Sequence, residues 1–487
     1  MLKVERSIPE DKMANKTQDF RPDDTAAWYD CQLDQWKRAT DLMGGTKSMR
    51  EAGSKYLPQF PGESDKNYER RLEVATLHNF WRQMAREMVG RIFSKKIEIE
   101  GSQIPEDILN NIDSRGNSVH TFARSLALKF LTKGMWHLFI DMPRPSITPT
   151  NLAEERELNL RPRWISWAVE SVFNGALTES AGFERLLQIR SKSTQYEVRG
   201  LEISCFSRIT IYDDNNGNVS FKVYDIQDDN TKSYTERVDL SGVMRGISQI
   251  PLVTFYTERL GFMQSMSLMD DIALKNIEHW QSSSDQRNIL TVSRYPILTQ
   301  IGVDKPITVD GPANGLWSPG NDKEKQPVEF KFIEPEGSAI QHGWKDLERI
   351  VTEAEALGMQ LVVRPTRDTV IEAVRDDMKD TSPLQDFAQA FEEGLTKALQ
   401  ITGEWLGYTK EQSGRAIVNK DFGISAQEEK RIDALIRMRG AKDLSRETYW
   451  EEMKEVGVLQ TKFEKGAELA RIRNEEDFMP EPTPNVP

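Results

Sequence analysis

The stretch from Gln264 to Gln400 constrains this chain most. It reads helix, Gly/Pro-rich β-like insert, helix, short loop, helix, and the first helix has a far half with almost nothing apolar in it. Leu268, Met269, Ile272, Ala273, Ile277 and Trp280 recur at helical spacing, but Gln281-Ser282-Ser283-Ser284-Asp285-Gln286-Arg287-Asn288 then offers no apolar stripe. A helix of that kind has no place in an ordinary core. It bridges solvent, lines a cavity, or lies against copies of itself, where a polar interface is tolerated. The alternative is a loop, because Ser and Asn are weak helix formers.

A chain of 487 residues exceeds the size at which single cores stop growing, so two to four domains are expected. The apolar share of 38% is low for a globular protein, but 11 Trp and 20 Phe exclude global disorder. No stretch approaches twenty apolar residues, and Met1 to Phe20 is charged without a signal-peptide core, which predicts a soluble protein that stays where it is made. Cys31 and Cys205 fit no CxxC pattern and are expected to be reduced, buried small hydrophobes. A formal net charge of -13 argues against a protein that grips nucleic acid, since phosphate binding needs a basic face. It is compatible with one that lets nucleic acid pass, because an acidic wall prevents adhesion. Plain solubility explains the charge equally well.

Along the chain, residues 1 to 25 read as an arm, and a helical pattern runs through Trp28 to Trp36. A turn-rich break from Tyr56 to Asp65 ends at an N-cap, and one long helix carrying Tyr68, Leu72, Ala75, Phe80, Met84, Met88 and Val89 is predicted. Its Arg70, Arg71, Arg82 and Arg86 read as a solvated face. Strand material at Ile97 and Ile99, a helix from Val119 to Lys133 and a strand from Met135 to Asp141 follow. Residues 185 to 257 switch to period-two patterning, with Ile209 to Tyr212 and Val219 to Tyr224 joined by Asp213-Asp214-Asn215-Asn216-Gly217-Asn218. The position five before Gly217 is Tyr212, where a calcium loop needs Asp, so a hairpin turn is expected. Pro and Gly punctuate the insert from Arg294 to Gly337. Ile340, Trp344, Leu347, Val351 and Ala354 mark a helix that Gly358 can end, Leu361 to Thr369 a loop, and Leu384 to Trp405 another helix ending at Gly407. A short strand, Ala416 to Val418, precedes a helical, densely charged region from 426 to 476 and a Pro-rich, disordered tail. The fold class is α+β.

The chemistry of a known catalyst is missing. Gly44-Gly45-Thr46-Lys47-Ser48 lacks the order and spacing of a phosphate loop, and there is no HExxH, GxSxG or GxGxxG. His78, His120, His137, His279 and His342 stand singly, and acidic runs such as Asp376-Asp377 or Glu475-Glu476-Asp477 read as solvated charge. Neither an enzyme nor a cofactor or metal is expected.

Tyr56-Leu57-Pro58-Gln59-Phe60-Pro61-Gly62-Glu63-Ser64, then Tyr68, Arg71-Leu72 and Val89-Gly90-Arg91-Ile92-Phe93, resembles the opening of the tailed-bacteriophage portal (head-tail connector) family. Gly134 to Pro143, the insert from Tyr295-Pro296 to Ile340, and Asp421-Phe422 before a charged helical pair fit in the same order. What the resemblance implies is a virion protein at the capsid portal vertex, assembled in the host cytoplasm as a ring, commonly of twelve subunits, around a DNA channel. Its regions would be an arm (1–25), an α/β wing (26–263, β-rich over 185–257), stem helices (264–293 and 338–358) and a clip (294–337). A tunnel loop (359–370), a wing helix and strand (371–425), a crown (426–476) and a tail (477–487) complete it. Arg364, Thr366 and Arg367 would be the channel-facing candidates. Asn321, Asp322, Lys323, Glu324 and Lys325 would dock the terminase large subunit or the head-tail adaptor. The major capsid protein and double-stranded DNA, passed without sequence specificity, complete the partners, with no membrane. The alternatives are another neck or baseplate structural protein, or a metal-dependent hydrolase or nuclease working through the acidic clusters.

Overall fold

The computed structural model describes residues 21–143, 160–180, 183–228, 233–294, 297–301, 316–318, 329–333, 337–362, 382–420, 434–441 and 443–455, with four single positions between 465 and 471. Helix and strand are mixed along the chain, which divides into two compact units, Met1–Lys420 and Asp421–Pro487. No described helix is long and apolar enough to cross a membrane.

The first unit opens with residues 21 to 25 tied to a sheet: Asn174 Nδ2 donates to the Asp24 carbonyl, and Arg190 Nη1 to that of Arg21. Helices α1 (Ala27–Gly44) and α2 (Thr46–Ala52) break at Gly45, whose φ of 75° suits glycine, so the Gly44-Gly45 pair is a helix junction. The single helix expected from Tyr68 to Val89 is two, α3 (Asp65–Val74) and α4 (Phe80–Ile92). Their caps explain the break. Ser64 accepts from the Asn67 N–H and Asn79 from the Arg82 N–H, while Ala75 between them is extended. The apolar pattern runs through the break because Ala75 and Leu77 within it, and Phe80 after it, are buried.

After β1 (Glu98–Glu100) and α5 (Glu106–Leu109), helix α6 (Val119–Lys133) ends at Gly134. This glycine has φ 84° and donates its N–H to Phe130 O, while an added Cβ would meet Ser267 N at 2.8 Å. Only glycine fits that approach. The strands that follow are β2 (Met135–Asp141), β3 (Arg163–Trp167), β4 (Val172–Ser180), β5 (Phe183–Arg199), β6 (Glu202–Asn215), β7 (Asn218–Asp228), β8 (Ser233–Glu236), β9 (Gly242–Met244), β10 (Leu252–Tyr256), β11 (Glu258–Gly261) and β12 (Gln264–Met266). Strand structure thus extends beyond 185–257 at both ends. One sheet has the order β10-β2-β3, antiparallel throughout; a larger one runs β4-β5-β6-β7-β8, with β9 also on β7.

Helices α7 (Asp270–Ser293) and α8 (Ser338–Val362) flank a three-stranded sheet of β13 (Ile297–Ile301), β14 (Leu316–Ser318) and β15 (Glu329–Ile333), and α9 (Pro383–Trp405) follows. A capping box of Ser382 and Gln385 starts α9. Its inner face meets α6 and β10 through Phe387 and Phe391, which pack with Phe130 and Phe255. Trp164 Nε1 donates to Thr402 Oγ1 at 2.8 Å, tying β3 to the same helix. After the short α10 (Lys410–Ser413), strand β16 (Arg415–Ile417) returns to pair with β1.

The 213–218 segment is a hairpin turn. Asn216 and Gly217 have φ of 49° and 94°, and the Asp214 carboxylate accepts from the Gly217 N–H and pairs with Arg185. Both cysteines are free and exposed, contrary to the burial expected for small hydrophobes: Cys31 lies on the outer side of α1, and Cys205 on a strand that projects beyond its neighbours. In the second unit, Ser445 caps α11 (Arg446–Glu455), and Arg446 lies over the Trp450 ring.

Candidate functional site

The first half of α7 is a core helix. Met269, Ile272, Ala273 and Trp280 are at most 2% exposed. Of the two buried polar residues there, Asn276 and His279, Asn276 is spent on the start of α4: its Oδ1 accepts from the Trp81 N–H at 3.1 Å and its Nδ2 donates to His78 O at 2.9 Å. Trp81 Nε1 donates to Met269 O, and Arg38 grips Asp270 at the helix start. A hydrogen-bonded amide inside an apolar layer fixes the register of two helices, since a slip would leave four polar groups unsatisfied.

The second half is helical, and several of its polar side chains reach other elements of the same chain. Gln281 Nε2 donates to Tyr56 O (2.9 Å), Ser282 Oγ to the Asp346 carboxylate (2.9 Å), Gln286 Nε2 to Ile340 O (2.8 Å), and Arg287 Nη1 to Val74 O (2.9 Å). Ser284 and Gln286 are buried. Ser284 Oγ has no hydrogen-bond partner among the described residues and residues 287 to 289 stay exposed, but four polar side chains of this half thus bond within the chain. The physical reason is that helix ends and turns leave carbonyls without partners. Val74 closes α3 and Tyr56 sits in a turn, so long polar side chains satisfy them where leucines would not.

Across the seam the partners run in opposite directions, 275 with 353, 282 with 346 and 286 with 340, so α7 and α8 are antiparallel. Gly343 lets them approach: a Cβ there would meet Gln286 Oε1 at 1.9 Å. We expect Gly343→Ala to lower stability by about 1–3 kcal/mol through overpacking, and to cost much less in a Gln286→Ala background. Denaturation midpoints of the four proteins in that cycle check it, and additive losses would place the strain elsewhere. On the outer side, Lys275 bridges Glu278 and Glu353 at 2.8 Å each, and Arg349 bridges Asp346 and Glu353 at 2.8 and 2.6 Å. Hydrogen bonds to Glu278 and Glu353 hold the Lys275 ammonium pKa above its ordinary value. These pairs are half exposed and set register more than stability.

The loop that carries the family resemblance docks on this seam through Arg71. Arg71 is 5% exposed, its Nε and Nη2 donate to the two Glu63 oxygens at 3.0 and 2.8 Å, and Nη2 also reaches Pro58 O at 2.7 Å. Its guanidinium stands 4.1 Å from the Phe60 ring centroid and 3.6 Å from Asp285. Arg71 is therefore not part of a solvated face, and Arg82 also turns inward to Met43 O. Hydrogen bonds from Arg71 hold the Glu63 carboxyl below its ordinary pKa, while burial raises that of Asp285. Tyr56 is fixed by its hydroxyl, which donates to buried Asp41 at 3.0 Å. His78 and His279, 201 positions apart, meet with ring centroids 5.5 Å apart beside Phe80. Nothing in their separate sequence contexts announced this.

Arg364, Thr366 and Arg367, and Asn321, Asp322, Lys323, Glu324 and Lys325, lie outside the described residues, as do Asp376-Asp377 and Glu475-Glu476-Asp477. The structure gives the flanks. Helix α8 does not end at Gly358 but continues to Val362. Gly358 is buried where a Cβ would meet Met84 Sδ at 3.2 Å, so it serves the approach of α8 to α4. Residues 264 to 266, expected in the first stem helix, belong to β12, and α7 begins at Asp270. Among the described residues, no group of three or more His, Cys, Asp or Glu side chains is placed to hold a metal ion.

Residues 268–406 match a domain of unknown function, DUF4055. The match begins just before α7 and ends just after α9, so it takes in the helix pair, the small sheet and the next helix. No curated protein matches the chain. Among solved structures, it is similar to a chain of the virion of a native gene transfer agent particle, at 12% identity and a TM-score of 0.36, over 88% of this chain and 100% of that one. It is also similar to a chain of the neck of an empty gene transfer agent particle computed with C6 symmetry, at 12% identity and a TM-score of 0.37, over 86% and 100%. At these values neither likeness carries an argument of its own.

Proposed function

We propose that the chain is a portal protein: the subunit of a ring, of about twelve copies by the family resemblance, at one vertex of a tailed-phage or phage-like capsid. DNA would be packaged and later ejected through that ring. The observation that carries the reading is the antiparallel pair α7 and α8, pinned at one end to the α/β layers and interrupted by the small sheet β13-β14-β15. That is the order of wing, stem, clip and stem, and it is supported by the 56–64 loop, held by buried Arg71 of α3, whose residues carry the family resemblance. The charge of -13 suits a wall that DNA slides past.

In this reading the segment between α8 and α9, with Arg364, Thr366 and Arg367, borders the channel, and two arginines per copy touch phosphates in passing. Asn321 to Lys325, between β14 and β15, dock the terminase large subunit and later the head-tail adaptor, and the outer wall meets the major capsid protein. Electron microscopy of the purified full chain with native mass determination tests the proposal. Rings with a central hole at least as wide as a duplex, about 20 Å across, are the expected result. Rings closed at the centre would make it another neck component, and a compact monomer at every concentration would end the ring reading.

A further inference from the structure

The hairpin of β5 and β6 is longer than the sheet that holds it. β4 pairs with β5 only as far as Ser191, and β7 with β6 only from Arg208 onward. Beyond those points, the two strands pair with each other alone, out to Arg199 opposite Glu202. Among the described residues, this outer ribbon has no third strand on either edge.

Its two faces differ. Ile209 and Ile211 belong to a buried cluster with Phe173 and Ile226. Register carries that same face outward through Thr194 opposite Ser207, Tyr196 opposite Cys205, and Val198 opposite Ile203. Tyr196, Val198 and Ile203 are 73, 66 and 68% exposed, and Leu201 in the turn is fully so. The other face carries Ser193, Gln195, Glu197, Ser204 and Arg208, with Phe206 as its one large apolar side chain, covered by Arg208. Towards its tip the core-side face thus stays apolar although, among the described residues, it is left exposed, and a two-stranded ribbon in water is marginal by itself.

We infer that this arm lies on a second copy of the chain, its apolar face continuing the core layer of one subunit over the surface of the next. The area argues for a repeated copy and against an independent partner. Four side chains of this size offer on the order of 400 Å², half of the roughly 800 Å² per side that a stable pair needs. In a closed ring, every subunit gives one arm and receives another, which doubles the contact without allowing a stable dimer. A head-to-tail contact needs a second apolar patch on the molecule. Val238 and Val243, 75 and 56% exposed before and within β9 of the same sheet, are the candidates for it.

The contact presupposes the ring proposed above, so the test must separate the two. Hydrogen exchange on the full chain, assembled and diluted to monomer, should show the amides of residues 194–206 protected at least tenfold more in the assembly. The variant Val198→Thr/Ile203→Thr keeps β-branched residues in both strands and removes their apolar contact. It should melt as the wild-type monomer does and need at least tenfold more protein to assemble. Rings whose arm amides exchange as freely as the monomer's, or a double variant that assembles like wild type, would overturn the arm contact and leave the ring standing. A chain that never assembles would remove both.

Discussion

Arg71→Ala is expected to lower the unfolding free energy by about 3–5 kcal/mol, because it leaves a buried carboxylate without its counter-charge. Arg71 and the Glu63 side chain are only 4 and 8% exposed, and the guanidinium also satisfies Pro58 O and covers the Phe60 ring. Arg71→Lys should recover part of the loss, since one ammonium cannot make the two parallel bonds of the fork. The sign with pH follows from Glu63. Its folded pKa is depressed below the ordinary 4.5, so its contribution is complete above that value and is lost as pH falls through the folded pKa. Without Arg71 the buried carboxyl moves above its ordinary value, and acid then favours the folded chain at this site. Denaturation midpoints at pH 7 and pH 4 for wild type, Arg71→Ala and Arg71→Lys test this. A variant as stable as wild type at pH 7, or one with an unchanged acid limb, would show that the loop is held by something else.

Phe391→Ala should cost a similar amount, about 3–5 kcal/mol, by opening a cavity where α6, α9 and β10 meet. The ring is fully buried, with the centroids of Phe255, Phe130, Phe387 and Phe93 5.4 to 6.2 Å away. The layer cannot easily collapse onto the gap. One turn along α9, Gly394 already lies so close to Phe255 that a Cβ would stand 2.3 Å from its ring. Phe391→Leu should cost less than half as much, because most of the volume is kept. Guanidinium midpoints at constant m-value measure both variants. Equal losses for Ala and Leu would mean that ring geometry, and not volume, holds the layer.

How much of this was legible depends on the range of each interaction. Helix α6, strand β2, the 209–224 hairpin and α9 follow from periodicities of 3.6 and 2 with their caps and turns, all written within a dozen residues of each other. The break between α3 and α4 was hidden because Ala75 and Leu77 inside it are buried, so the hydrophobic pattern continues where the helix does not. Gly358 carried a stop signal that α8 overrides, since its packing against Met84 outweighs a local preference of about 1 kcal/mol.

The amino-acid sequence by itself determined the kinds of element, their order, the polar half of α7 and the residues of the 56–64 loop. Only the tertiary structure decided where those polar groups went. Arg70 and Arg71 are adjacent letters about 100° apart on a helix, and nothing local says which meets Glu63 and which meets water. Gln281, Ser282, Gln286 and Arg287 find their partners 54 to 225 positions away, at carbonyls and a carboxylate that other elements expose. Local free energies chose helix, strand and turn. The need to satisfy buried carbonyls and charges, which depends on the whole folded chain at once, chose these contacts.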